Sequence, residues 1–141
     1  MPSTLVHLAL GALLAAGLLD DEFDGRTLGL VLAVTAVPDL DTFAGLWLAG
    51  THRALLHNAL VPLLLGALVY SDTRVAPRSW LASRGAVRLA WVCVAAYAFA
   101  GVGPDLVTNG VNLFYPVVDR FVSLSGQVLI SDQRGLVQTL W

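Results

Sequence analysis

The chain has 141 residues, 57% of them hydrophobic and 13% charged, with a formal net charge of −2. Soluble domains carry about 25% charged residues. That deficit, with a mean hydropathy of +0.74, argues against a water-solvated globule and for one integral membrane domain. All the basic residues are arginine, and no basic stripe with interleaved aromatics occurs, which argues against direct nucleic-acid binding. Cys93 is the single cysteine, so a disulfide framework is excluded and a thiolate zinc site is disfavoured; it reads as a packing residue.

In chain order, Leu5–Leu19 predicts a first helix, opened by Ser3 or Thr4 as N-cap. Its apolar start invites a signal-peptide reading, but no Lys or Arg precedes it and His7 interrupts it. An acidic loop follows over 20–26, then a second helix over Leu28–Val37. Pro38 stops that helix and biases Val37 towards extended geometry. Apolar character resumes over Leu40–Gly50. A third helix is predicted from Ala54 to Tyr70 with Pro62 as a kink, then an arginine-bearing loop over Ser71–Arg84. A fourth helix covers Ala86 to Val102, ending at Gly103-Pro104, and a shorter fifth segment covers Asp105–Val118. Arg120–Ile130 alternates as a strand or extended segment, and Ser131-Asp132 reads as the cap of a last amphipathic helix lying on the membrane surface.

The fold class expected is all-α: a multi-pass transmembrane bundle of four to five short helices over 1–125, with a tail over 126–141. Each apolar run falls short of the roughly 20 residues that span a bilayer squarely, which implies local thinning or irregular backbone sheltered inside the bundle. If the first four helices each cross, His7, Pro38–Asp41, His52 with His57, and Asp105 all converge on one side. Arg26, Arg74, Arg78, Arg84 and Arg88 take the other. The positive-inside rule then places the polar side on the outer face of the cell membrane.

Those polar patches carry the chemistry. Ionisable groups in membrane-type sequence cost roughly 2.5–3.5 kcal/mol each at a helix centre, so several retained at helix ends suggest a site. Asp39 and Asp41 would diverge by about 200° on a helix but share a side if extended, where both could face one cation; the bland alternative is a solvated turn. His52 and His57 lie roughly 140° apart on a straight helix, so His52 is expected just before the helix begins. Imidazole is the commonest metal ligand, and two histidines beside a carboxylate pair favour ligation over packing. Arg53 suits an anion or phosphate clamp, or else an interfacial anchor. His7 reads equally as ligand or interfacial residue, and Asp105 as ligand or helix cap. The ligand set His7, Asp39, Asp41, His52, His57 and Asp105 suits a divalent metal, zinc first and manganese second. No nucleophile elbow, P-loop or dinucleotide fingerprint is present; if the chain is an enzyme, metal-activated water is the mechanism its residues support.

The ordered set Thr4-Leu-Val-His7 with Gly11, Pro38-Asp-Leu-Asp41, His52-Arg53 with His57-Asn58, and Asp105-Leu-Val-Thr108-Asn-Gly110 running to Phe114-Tyr115-Pro116 resembles the membrane-bound metal-dependent hydrolases, also described as LexA-binding, inner-membrane-associated hydrolases. The resemblance covers nearly the whole chain except the tail. It implies a multi-pass membrane fold and a divalent-metal hydrolase site, and a more distant likeness to zinc-dependent phospholipases C makes phosphoesters the leading substrate class. The family pattern has a histidine four residues before the aspartate matching Asp105; here that position is Gly101. A serine after the second histidine of the middle motif is replaced by Asn58. LexA binding is not carried over, because no residue here can be tied to it. Two alternatives stay open: a non-catalytic membrane protein keeping a structural or sensing metal, and a small transporter component built on broken helices.

Overall fold

The computed structural model describes residues 3–47, 53–75 and 80–126, and these are helical with no named strand. Helix α1 spans Thr4–Leu18 and α2 spans Gly25–Ala36. A 3₁₀ turn, Pro38–Leu40, leads into the short α3, Asp41–Gly45. Helix α4 is Leu60–Arg74 and α5 is Arg84–Ala95; α5 runs on through a π-helical segment, Ala96–Val102, into α6, Gly103–Thr108.

Local chemistry sets these boundaries. Helix α2 starts three residues before the expected Leu28, because the Asp24 carboxylate accepts the amides of Arg26 and Thr27 while the Thr27 hydroxyl accepts the Asp24 amide. That reciprocal box satisfies donors a helix N-terminus otherwise leaves open. Helix α4 starts six residues after the expected Ala54. The Asn58 side chain accepts the Val61 amide and donates to the Ala54 and Leu55 carbonyls, so 54–59 forms a turn that competes with helix. Pro62 falls in the first turn of α4, where its missing N–H costs nothing. Gly103-Pro104 does not end the fourth helix as expected, since the π segment carries the chain through to Thr108. The expected fifth helix therefore shrinks to α6, and 109–126 is irregular. The strand expected over Arg120–Ile130 reduces to one antiparallel bridge, Val111 with Val122; residues 127–141, most of the predicted tail, lie outside the described residues.

Helices α1, α2 and the α5–α6 rod pack together through small side chains. His7, Gly11 and Ala15 form the buried stripe of α1. A Cβ at Gly11 would stand 2.5 Å from Thr35 Oγ1 of α2, so only glycine permits this approach. Small residues at such crossings are the usual device of helices packed without a hydrophobic driving force. One core cluster joins Ala15, Leu19, Val31, Val92 and Ala96, and a second joins Tyr97, Val102 and Val111.

Beside this apolar core, the structure buries an unusual number of polar side chains and exposes many large apolar ones. His7, Asp41, Arg53, His57, Asn58, Asp105, Asn109 and Asn112 are buried, while large apolar side chains such as Leu5, Leu13, Leu63, Leu64, Phe99 and Trp80 are exposed. The rod Arg84–Thr108, 25 residues, is long and apolar enough to cross a membrane. Gly25–Ala36 with Pro38–Gly45 would make a second span, bent by 43°, if the pair is one element.

Candidate metal centre

Four segments meet at the end of the bundle where α1 begins. Helix α1 brings His7, the 3₁₀ turn brings Asp39, the 53–59 turn brings His57, and α6 brings Asp105. Ligand atoms of His7, Asp39 and Asp105 lie within 4.8 Å of one another, a group able to hold a metal ion. His57 adjoins their carboxylates: its Nε2 stands 3.2 Å from Asp105 Oδ2 and 3.5 Å from Asp39 Oδ1. His7 Nε2 stands 3.5 Å from the same Asp105 oxygen.

Both imidazoles are anchored by the other nitrogen. His7 Nδ1 lies 2.6 Å from the Ala100 carbonyl, and a carbonyl only accepts, so Nδ1 carries the proton and Nε2 is left to face the cluster. His57 Nδ1 donates to Asp41 Oδ2 at 2.9 Å. Metal-binding histidines have their second nitrogen held in this way, by a carbonyl or a carboxylate. Asp39 is held too, since the Thr4 hydroxyl donates to its Oδ2 at 2.7 Å. His57 Nε2 is buried and makes no hydrogen bond, although two carboxylates face it. Burial alone would lower the His57 pKa, but Asp105, Asp39 and Asp41 outweigh it and hold the imidazole well above its ordinary value. A cation among the four side chains would relieve the same concentration of negative charge.

Asp39 and Asp41 are not extended and do not face one point. Residues 38–41 adopt right-handed helical dihedrals, since Pro38 acts as the first residue of a helical turn rather than imposing extended geometry on Val37. The consequence is a division of labour. Asp39 faces the cluster, and the Oδ2 of Asp41 lies behind His57.

Arg53 is buried, with its backbone in the left-handed region at φ 57°, an uncommon state for a residue with a side chain. Its carbonyl accepts the Asn112 amide, the Ala59 amide donates to the Leu113 carbonyl, and the Tyr97 hydroxyl donates to the Leu56 carbonyl. The turn that carries His57 is thus fixed from two sides. His52 lies outside the described residues.

A Cβ at Gly101, where the resemblance leads one to expect histidine, would meet Pro38 Cγ at 2.9 Å and the Thr35 carbonyl at 3.0 Å. The position is a packing point between the π segment and the turn that carries Asp39, with no room for an imidazole. Two participants had no separate signal in the sequence. Thr4 reads as a helix cap but bonds Asp39, and Ala100 contributes only its carbonyl.

No family model matches the chain, and neither does any curated protein or solved structure.

Proposed function

We propose that this protein is an integral membrane, metal-dependent hydrolase acting on a phosphoester or lipid-like substrate at the bilayer surface. One observation carries the reading. Two histidine Nε2 atoms and two carboxylates, supplied by four separate segments, face one another in a buried cluster, and each histidine is anchored by its other nitrogen. Burying such a set is costly without a cation to compensate it. Its two-nitrogen, two-oxygen chemistry suits zinc and tolerates manganese.

The residues fit the group. His7, His57, Asp39 and Asp105 would hold the ion, which supplies Lewis acidity and brings a water's pKa towards neutrality. Asp41 keeps His57 in the Nδ1-protonated tautomer, and Thr4 fixes one oxygen of Asp39. The Asp39 side chain is 14% exposed against 3% for Asp105, so the Asp39 side is the more open route by which substrate would approach. Arg53 lies on the turn that carries His57 and is the candidate anion-binding side chain. Phe43, Leu46 and Trp47, exposed on and just after α3, follow Asp39 closely in the chain and would suit an amphiphile.

The membrane reading rests on the many exposed large apolar side chains beside buried polar ones, the apolar rod Arg84–Thr108 and the small-residue helix crossings. By chain order Arg26, Arg74, Arg84 and Arg88 take the end away from the cluster, and an outer-face site follows from the positive-inside rule.

A second reading, a structural or sensing metal, has its own support. Four protein ligands close a tetrahedral zinc site, whereas catalytic sites keep a position open. The test is metal content by mass spectrometry on detergent-purified protein, wild type beside His57→Ala/Asp105→Asn, followed by a phosphoester panel. Stoichiometric zinc or manganese lost in the double variant, with turnover that needs the metal, is the expected result. Metal without turnover and without a coordinated water selects the second reading. A folded wild type that refuses both metals overturns both.

A further inference from the structure

We propose that the end of the bundle away from the metal centre holds an anionic phospholipid, with an acyl chain in the groove between α4 and α5 and its phosphate beside Arg84. The inference rests on the membrane part of the reading above and is independent of the metal and of hydrolysis.

Helix α4 meets α5 where Gly66 faces Trp91 and Val94; a Cβ at Gly66 would sit 3.5 Å from the Trp91 ring. Beyond that contact a groove of about 440 Å³ opens, lined chiefly by Leu68, Val69, Trp80, Leu81 and Ala90. Its wall is pinned by Asp72, whose Oδ1 accepts the Trp80 amide at 2.8 Å and whose Oδ2 accepts the Leu81 amide at 3.0 Å. Trp80 itself is 92% exposed, a placement that suits the headgroup level of a bilayer. A second cavity of about 360 Å³ adjoins through Leu81, which lines both, and its other walls are Thr73, Ser83, Arg84 and Val87. An apolar slot thus opens beside two hydroxyls and a guanidinium.

Charge selects the headgroup. Arg88 is matched by Glu22 at 3.1 Å and Asp20 at 3.7 Å, and Glu22 is the acid that packs against Gly85 in the first turn of α5. Arg74 and Arg84 are exposed and take part in no ion pair among the described residues. The stretch between them adds Arg78 in sequence and no acid. Helix α5 opens at the same place, with Ser83 as N-cap and no acidic residue in its first turn. A cation such as Arg84 works against the positive end of the helix dipole, and an anion beside it would offset both. A free phosphate would match Arg84 but leave the groove unfilled, whereas a neutral amphiphile would fill the groove and leave the arginines unmatched. Basic pockets between membrane helices bind anionic headgroups in this way. The rod separates Arg84 from Asp105 by roughly 30 Å at 1.5 Å per residue, about one hydrocarbon thickness. The lipid therefore belongs to the leaflet opposite the metal centre.

The test is native mass spectrometry of the full chain in detergent, titrated with dioleoylphosphatidylglycerol or dioleoylphosphatidylcholine. Wild type is compared with Arg84→Gln, Ala90→Phe and Arg26→Gln. Wild type is expected to bind the glycerol lipid roughly tenfold tighter than the choline lipid, and Arg84→Gln to lose roughly fivefold for the glycerol lipid alone. Ala90→Phe puts a ring into the groove and is expected to weaken both lipids. Arg26→Gln removes the same charge from the start of α2, which lines neither cavity, and is expected to match wild type. Equal affinity of wild type for the two lipids overturns the proposal. So does a loss in Arg26→Gln equal to that in Arg84→Gln, which would mean diffuse attraction rather than a site. Inorganic phosphate that binds as tightly as the lipid also overturns it, leaving an anion site with no acyl chain. Ala90→Leu replaces Ala90→Phe if the latter does not fold, and undiminished lipid binding in the folded groove variant removes the acyl chain from the groove. Should the chain stay dispersed in buffer without detergent, the membrane reading fails, while the same titration with dioctanoyl lipids still decides whether this site prefers an anionic amphiphile.

Discussion

His57 shows how a single side chain is committed to its role. Asp41 holds Nδ1 at 2.9 Å, and Nε2 is left facing Asp105 and Asp39. Removing Asp41 frees the ring to rotate and to change tautomer without touching the cluster itself. Asp41→Ala is expected to weaken zinc affinity by roughly 10–100-fold, whereas Asp41→Asn, which retains an acceptor oxygen, loses less; calorimetric titration of the two variants checks the order. Equal, undiminished affinity in both would remove Asp41 from the centre. Gly101 makes the complementary point about space. Glycine to alanine inside a helix ordinarily stabilises by about 0.5–1 kcal/mol, yet here the added Cβ would lie 2.9 Å from Pro38 and 3.0 Å from the Thr35 carbonyl. Overpacking of that kind costs about 1–3 kcal/mol. Gly101→Ala is therefore expected to lower the thermal midpoint, and a raised midpoint would show that the contact relaxes freely.

At the scale of elements, helix ends rather than helix interiors place the functional groups. Helix α2 begins where Asp24 and Thr27 cap each other, which sets where its far end delivers Pro38 and Asp39. Hydrogen bonds from the Thr27 amide and hydroxyl, helped by the Arg26 amide, hold the Asp24 carboxyl below the ordinary 3.8 and outweigh the opposing effect of desolvation. The folded pKa is thus lower than the unfolded one. The stabilisation is fully present above about pH 4 and is lost as pH falls through the lowered folded value. Melting curves from pH 7 to pH 2 should show a steeper acid loss for wild type than for Asp24→Asn; parallel curves would mean the cap contributes nothing. Tertiary context also displaced the start of α4. Arg53 sits in left-handed geometry, Asn58 bonds its own neighbourhood, and the 109–126 segment clamps the turn. An apolar pattern that reads as helix from Ala54 is overruled by side-chain competition and by two long-range backbone bonds.

For the whole molecule, the distribution of polarity is the main constraint. A set of charged and amide side chains is buried around His7, Arg53, His57 and Asp105, small residues line the helix crossings, and many leucines and aromatics are exposed. Such a molecule depends on satisfaction of its buried charges as well as on its hydrophobic core. Stripping metal with a chelator is expected to lower the thermal midpoint in detergent. Zinc at 100 times Kd should add about 2.7 kcal/mol of stability, measurable as a concentration-dependent upward shift. A midpoint indifferent to both would mean that the cluster binds no ion in the folded state.

The sequence by itself determined the composition class, the all-helical character and most of the residues that meet at the centre. These follow from local facts: apolar runs broken by prolines, and ionisable groups too costly to keep at helix ends without a purpose. His7, Asp39, His57 and Asp105 were all legible as candidates, and chain order alone brought them to one end. Division of labour among them was not legible. Whether Asp41 faces the cluster or lies behind His57 depends on the turn Pro38 adopts, which spacing left open between extended and helical geometry. Nor could spacing reveal that position 101 lacks room for a histidine, or that Thr4 and the Ala100 carbonyl orient ligands far away in sequence. Those are contacts between segments up to 93 residues apart, and only the packing of α1 against α2 and the π segment decides them, because hydrogen bonds across an interface are fixed by backbone approach rather than by any local pattern.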